Sequence, residues 1–167
     1  MKVIGIAFSD LHLGEYSKFN EDNKRTLNHI GVLYLIKDLC IKYKCPSFFC
    51  GDFMHRPEFI STSLDEIIIE QFEELNRCEE FNIYGISGNH DLQKSNTIER
   101  RSSSHWANLC RRYSFLHNID FSYHDFGKFR VVGIPYIDHN KGLDSLIKAE
   151  LKGAMLKPTI LLLHTCL

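Results

Sequence analysis

Apolar runs that each end in a short polar loop recur along this chain. Residues 3–8, 47–50 and 82–86 have the length and composition of buried strands. The segments that follow the first two, residues 20–44 and 62–77, carry apolar side chains at helical spacing. Repeated strand, loop and helix imply a parallel sheet with right-handed crossovers. We therefore expect an α/β fold whose polar loops share one edge of the sheet.

The second half of the chain is predicted to add a hairpin, a helix and a strand. Residues 119–124 and 128–134 alternate around a glycine-containing turn, which is typical of a hairpin. Residues 141–156 have helical spacing, and 159–163 form an apolar run that ends on His164. No repeat or linker interrupts the sequence, so we expect a single domain.

Side chains that commonly bind metals follow these strands. They are Asp10 and His12, Asp52 with His55, Asn89 with His90 and Asp91, and finally His164. Strand alternation would point Asp10 and His12 the same way, although an Asp near a His also occurs in turns and in solvated pairs. Four such placements at one edge predict two cations that share a carboxylate and clamp a phosphate. The expected ligands are Asp52 as the bridge, Asp10 and His12 for one cation, and Asn89 and His164 for the other.

The order of these motifs is more specific than any one of them. D-x-H, then G-D, then G-N-H-D, then a lone histidine after an apolar strand resembles the calcineurin-like metallophosphoesterase superfamily over nearly the whole chain. The resemblance implies an α/β/β/α sandwich, metals at the five residues just given, and a metal-bound hydroxide that attacks phosphorus. It also implies that His90 stabilises or protonates the leaving oxygen and that Asp91 orients His90. The alternative for Asp91 is a cap of the segment that follows it.

Three details resemble one branch of the superfamily, the double-strand-break-repair exonucleases of the SbcD type. These are His55 followed closely by Pro57, the sequence D-x-H-L-G in the first motif, and the stretch Gly133-Ile134-Pro135-Tyr136. The protein phosphatases of the superfamily have Asp in place of His55. The branch implies manganese-dependent cleavage of DNA in repair or recombination, with His55 near the scissile phosphate. It also implies a partner ATPase of the coiled-coil, SMC-like type.

One motif of the superfamily is absent after His164 in these 167 residues. It is the motif G-H-x-H, which supplies one ligand to each metal in the superfamily. We therefore expect a metallophosphoesterase domain over 1–167 that is incomplete at its C-terminus, with under-coordinated metals and reduced or absent activity. The alternatives are a fragment of a longer chain and a natural product that borrows or lacks these ligands. An uncovered sheet edge or face would favour a homodimer.

Composition narrows the class of protein further. A net charge of −1 with 44% hydrophobic residues is typical of a soluble globular protein and carries no general nucleic-acid signature. A local basic stretch after the third polar loop is interpreted either as a DNA track or as a solvated or helical face. Its residues are Lys94, Arg100, Arg101, Arg111 and Arg112. Trp106, inside this stretch, is expected to anchor the core or a partner rather than to stack on bases.

The remaining features favour ordinary roles. The sequence shows no apolar run of membrane-spanning length and no signal-peptide layout, so we expect a cytoplasmic protein with reduced cysteines. Five histidines match no motif and are predicted to be structural: His29, His105, His117, His124 and His139. Three functions stay open: a metal-dependent DNA nuclease, a phosphatase or phosphodiesterase of small substrates, and a non-catalytic scaffold.

Overall fold

Seven strands in two sheets and three helices make up the part of the chain that the structure describes. The computed structural model describes residues 2–14, 24–55, 61–92, 104–137, 145, 147–148 and 157–165. Its elements are β1 (Ile6–Phe8), α1 (Lys24–Tyr43), β2 (Ser47–Phe49), α2 (Thr62–Asn76), β3 (Ile83–Gly85), α3 (His105–Arg112), β4 (Leu116–Asn118), β5 (Ser122–Asp125), β6 (Arg130–Ile134) and β7 (Thr159–Leu163).

The first sheet is parallel, as predicted, and runs in the order β1-β2-β3-β4. The last residues of its strands are in register, with Phe8 beside Phe49, Phe49 beside Gly85, and Gly85 beside Asn118. The loops that follow the four strands therefore leave the sheet at a common edge. β4 was not predicted, because the pattern after residue 112 was assigned to a hairpin alone.

The second sheet contains the predicted hairpin and the last strand. β5 pairs antiparallel with β6, which pairs parallel with β7. The turn of the hairpin contains Gly127 at a φ of 79°, a conformation that glycine adopts without steric cost. This sheet packs on the first through the buried side chains Phe48, Ile86, Ile119, Val131 and Leu162.

The helices cover the opposite face of the first sheet. Phe48 and Phe49 are adjacent in β2, and their side chains enter different cores because successive strand residues point to opposite faces. Trp106 of α3 is fully buried, with its ring centroid 4.9 Å from that of Phe49 and 5.3 Å from that of Phe53. Of the roles expected for this tryptophan, the structure supports the core anchor.

Helix boundaries follow from local capping. The Ser61 side chain accepts a hydrogen bond from the Leu64 N–H at 3.2 Å and begins α2. At the end of α1, Lys44 has a φ of 50°, and the Cys45 N–H donates to the Cys40 carbonyl at 3.1 Å. This is a Schellman ending with a lysine at the position that glycine usually occupies.

Helices, parallel sheet and second sheet form three layers, so the predicted α/β class is confirmed. The predicted helix at 141–156 lies almost wholly outside the described residues, within which Ser145, Ile147 and Lys148 are helical. None of the described helices is long and apolar enough to cross a membrane.

Candidate metal centre

The backbone conformation that brings Asp10 and His12 together differs from the extended strand that we expected. Strand β1 ends at Phe8, so strand alternation does not extend to these two residues. Both have left-handed backbones instead, with φ of 57° at Asp10 and 45° at His12. Their N–H groups donate to the carbonyls of Gly51 and Asp52, each at 3.0 Å. The loop after β2 therefore holds the loop after β1 in place.

Asp52 lies between two groups of ligand-type side chains. Its own φ is 63°, and its side chain is only 6% exposed. Oδ2 lies 3.7 Å from His12 Nε2, whereas Oδ1 lies 3.6 Å from His164 Nε2. The two oxygens of one carboxylate thus face two different histidines, which is the arrangement required of a bridging ligand.

The first group consists of Asp10, His12 and Asp52. His12 Nε2 is also 3.7 Å from Asp10 Oδ1, and one ligand atom from each of the three residues lies within 4.8 Å of the others. A separation of 3.7 Å is too long for a hydrogen bond. It matches two ligands of one cation, because metal–ligand bonds of about 2.0–2.2 Å place neighbouring ligands roughly 3–4 Å apart.

The second group consists of His164, Asn89 and Asp52. His164 Nδ1 is 2.8 Å from the Cys50 carbonyl oxygen, so in the neutral ring the proton lies on Nδ1 and Nε2 carries the lone pair. Nε2 in turn faces Asn89 Oδ1 at 2.9 Å. A lone pair on nitrogen then faces lone pairs on oxygen, an arrangement that a cation between them would make favourable.

Both groups fit divalent cations by their donor chemistry. Oxygen and imidazole ligands are suited to manganese-like or zinc-like ions. The surroundings are closely packed: a Cβ added at Gly51 would lie 2.5 Å from His164 Nδ1, and one added at Gly88 would lie 2.8 Å from Asp52 Cγ. The two glycines therefore allow the backbone to approach the ligand side chains.

His55 and His90, whose contact with substrate stays a prediction, adjoin the first group. Their rings are stacked with centroids 5.6 Å apart, and the His90 ring is 4.8 Å from that of His12. His90 Nδ1 lies 2.8 Å from the His55 carbonyl oxygen, and the His90 N–H donates to Asp52 Oδ1 at 2.9 Å. Burial lowers the pKa of His12, although the Asp52 carboxylate opposes this shift.

Asp91 does not make the contact with His90 that we expected. Its fully buried carboxylate accepts hydrogen bonds from four backbone N–H groups instead. The donors are Asp52 at 3.0 Å, Phe53 at 2.9 Å, Met54 at 3.0 Å and Gly88 at 2.8 Å. Burial raises the pKa of Asp91 to about 7, against the effect of these donors. Asp91 thus holds the loop that carries Asp52, and the segment that it was expected to cap lies outside the described residues from position 93 on.

The family assignment agrees with this arrangement. Residues 6–164 match the family model described as calcineurin-like phosphoesterase. The chain belongs to this family. The calcineurin-like phosphoesterases are metal-dependent hydrolases, and the two ligand groups described above provide places for divalent metals.

Comparisons with curated proteins and with solved structures give less information about the chain than the family model. No curated protein matches the chain significantly. Among solved structures, the chain is similar to the Pseudomonas putida nuclease MPE, with 14% sequence identity and a TM-score of 0.44. The match covers 81% of this chain and 56% of that one, so the chain spans little more than half the length of that protein.

Asp120, a residue that the sequence did not single out, supports the third polar loop of the chain. The Asp120 carboxylate accepts hydrogen bonds from the Ser87 N–H at 2.8 Å and from the Ser87 hydroxyl at 2.6 Å. The Ser87 carbonyl accepts from the Tyr136 N–H at 2.9 Å, which links the G-I-P-Y stretch to the site. Burial raises the pKa of Asp120. Asp120 follows β4, the strand that was not predicted, so no sequence signal indicated it.

The proposed basic track is only partly within the described residues. Lys94, Arg100, Arg101 and also Pro57 lie outside them. Arg111 and Arg112 are exposed in the last turn of α3, which begins beside Asp91 and extends about 12 Å toward the start of β4. The two arginines therefore lie toward the other end of the sheet from the metal ligands. Their role in DNA binding stays a prediction.

Of the histidines outside the motifs, His117 has structural surroundings. His117 Nε2 is 2.7 Å from Asn82 Oδ1, and its ring stacks on Tyr84 at 4.4 Å between centroids. Burial lowers the pKa of His117, and the neighbouring His124 acts in the same direction. His139 lies outside the described residues.

Proposed function

We propose that the chain is a metal-dependent DNA nuclease that hydrolyses phosphodiester bonds by a two-metal mechanism. The observation that carries this proposal is the position of Asp52. One of its carboxylate oxygens faces His12 and the other faces His164, and the stacked pair of His55 and His90 lies beside His12. Two cation positions joined by one carboxylate, with imidazoles alongside, suit an anionic phosphoester.

The side chains of the site have different roles in this proposal. Asp10 and His12 would hold one cation and Asn89 and His164 the other, with Asp52 between them. When bound, such cations neutralise phosphate charge and supply a nucleophilic water at neutral pH. With its Nδ1 proton donated to the His55 carbonyl, His90 has Nε2 available for proton exchange with a leaving oxygen.

Support for DNA as the substrate comes from the sequence together with the position of His55. The resemblance to SbcD-type nucleases rests on His55, the first-motif D-x-H-L-G and the G-I-P-Y stretch. His55 lies against His90 and His12, close enough to contact the same phosphate. Manganese, an SMC-like ATPase partner, a homodimer and a role in repair or recombination stay predictions from the resemblance.

The test is manganese-dependent hydrolysis of linear DNA, assayed beside chromogenic phosphodiesters and phosphomonoesters in the full natural reading frame. His90→Asn should lower kcat by about 10²–10⁴ if this residue acts as general acid. His124→Asn is the matched control, because His124 lies in the hairpin and contacts Tyr84 rather than the metal ligands.

Three results would contradict the proposal. Cleavage of small esters without cleavage of DNA would favour a small-substrate phosphatase or phosphodiesterase. Failure to bind any divalent cation would favour a scaffold. An unchanged rate for His90→Asn would remove the assigned proton transfer.

A further inference from the structure

Three histidines from three different loops converge at the edge of the parallel sheet. His12 follows β1, His55 follows β2 and His90 follows β3. One ring nitrogen of each lies within 4.8 Å of those of the other two. The ring centroids are 4.8 Å apart for His12 and His90, 5.7 Å for His12 and His55, and 5.6 Å for His55 and His90. All three residues are half-buried, so an ion from solvent can reach them.

Backbone contacts hold the trio in position. The His12 N–H donates to the Asp52 carbonyl at 3.0 Å, and the His55 N–H donates to the Leu13 carbonyl at 2.8 Å. The His90 N–H donates to Asp52 Oδ1 at 2.9 Å. Each imidazole therefore extends from a main chain that is bonded to a neighbouring segment, and a ligand set fixed in this way needs little reordering to bind an ion.

The proton of the His90 ring is also assigned. Because Nδ1 lies 2.8 Å from the His55 carbonyl oxygen, Nδ1 is the donor and the neutral ring presents a lone pair at Nε2. A hydrogen bond from the second ring nitrogen to a carbonyl is the usual support of a metal-ligating histidine. Here the carbonyl belongs to another member of the trio.

The trio differs in chemistry from the carboxylate-containing groups. Three imidazoles with a position left for water are a common ligand set for zinc, and all-imidazole sites also accept copper and nickel. Carboxylate and amide oxygens favour harder cations such as manganese and magnesium. Since His12 belongs to the trio and to the Asp10 group, an ion in one of them competes with an ion in the other.

We propose that His12, His55 and His90 form a separate site for a zinc-type divalent cation, which overlaps the candidate metal centre at His12. Binding at this site does not depend on the proposed nuclease function. The consequence of binding does rest on the proposed function. An ion held by His55 and His90 would occupy the place of the substrate phosphate and inhibit manganese-supported hydrolysis.

Imidazole ¹⁵N resonances during a Zn²⁺ titration of the whole chain test the site directly. The ring nitrogens of His55 and His90 should shift together with those of His12, and the shifts should saturate. If Zn²⁺ moves only His12 and His164, the ion occupies the carboxylate-containing groups alone and the proposal is wrong. This measurement requires no catalytic activity, so it is independent of whether the chain cleaves DNA.

Calorimetric titrations provide the second test. His55→Ala should weaken one class of Zn²⁺ sites at least about tenfold, a loss typical of disturbing a metal ligand shell. Mn²⁺ binding should stay within about twofold, because the variant keeps Asp10, His12 and Asp52. His124→Ala should change neither. Zn²⁺ binding by His55→Ala equal to that of the parent chain, in a variant with an unchanged circular dichroism spectrum, would overturn the proposal.

Discussion

Among the glycines at the candidate metal centre, Gly88 is the most closely packed, and we expect Gly88→Ala to weaken metal binding strongly while the protein stays folded. An added Cβ would lie 2.8 Å from Asp52 Cγ, and nearer still to the Oδ1 and backbone N atoms of Asp52. Ordinary contact begins at 3.4 Å, so even Cγ must move by at least about 0.6 Å. Metal–ligand distances tolerate only about 0.2 Å.

Two measurements follow from this displacement. Overpacking of this size reduces the free energy of unfolding by about 1–3 kcal/mol, measured by urea denaturation without metal. Mn²⁺ affinity, measured by calorimetry, should fall by more than about 100-fold, because Asp52 is the ligand common to both cation positions. In a chain that remains folded, the lower free energy of unfolding alone would reduce the Mn²⁺ affinity by less than this.

Gly31→Ala is the matched control. Gly31 is exposed in α1, and a Cβ there would meet nothing within 4 Å. The change should raise the free energy of unfolding by about 0.5–1 kcal/mol through helix propensity, with Mn²⁺ affinity unchanged. If Gly88→Ala binds Mn²⁺ as tightly as the parent, Asp52 is not the bridge and the assignment of the centre fails.

Four further predictions concern ionisable side chains and metal binding. Asp91→Asn should lower the free energy of unfolding by roughly 2 kcal/mol or more, since an amide oxygen can serve only two of four N–H donors. Asp120→Asn should lower the free energy of unfolding by less than about 1 kcal/mol, because the Ser87 hydroxyl can accept a hydrogen bond from the new NH₂ group. Equal losses of stability for the Asp91 and Asp120 variants in urea denaturation would contradict this distinction. Because burial lowers the pKa of His117, its contribution to stability is present above its unfolded pKa and is lost as the pH falls. His117→Gln should therefore make the melting temperature depend less on pH between pH 7 and 5 in EDTA. An unchanged pH dependence would refute this prediction. Mn²⁺ at 100 times its Kd should add about 2.7 kcal/mol of stability in thermal unfolding, and Asp10→Asn should reduce this gain; full stabilisation of the variant would place the ion elsewhere.

The parallel sheet and its edge of ligand residues could be predicted because local patterns determine them. Apolar runs of strand length that alternate with amphipathic helices leave little choice of topology. The boundaries of α2 differed by one residue from the prediction, since Ser61 and Arg77 cap the helix in the structure. The last strand, at residues 159–163, was predicted with the observed bounds.

Strand β4 was missed for a tertiary reason, and helix α3 was only one of two interpretations of its basic segment. Leu116–Asn118 is too short to have a periodicity of its own, and it is a strand because it pairs with Ile83–Gly85. The basic character of the segment before it concealed an apolar face in which Trp106 and Leu109 are buried. A count of charges thus suggested a nucleic-acid track where the chain also forms part of the core.

The convergence of the ligands depends on a conformation that sequence patterns do not reveal. Asp10, His12 and Asp52 all have positive φ, which costs on the order of 1 kcal/mol or more at each non-glycine residue. Such backbones persist only where their surroundings determine them fully, and here the N–H of Asp52 is bonded to the buried carboxylate of Asp91. The carbonyl of Asp52 in turn accepts from His12, so the hydrogen bonds pass from Asp91 through Asp52 to the first loop. The motif G-N-H-D therefore has two functions in this fold: its Asn and His face the centre, and its Asp fixes the strained loops that bring the other ligands there.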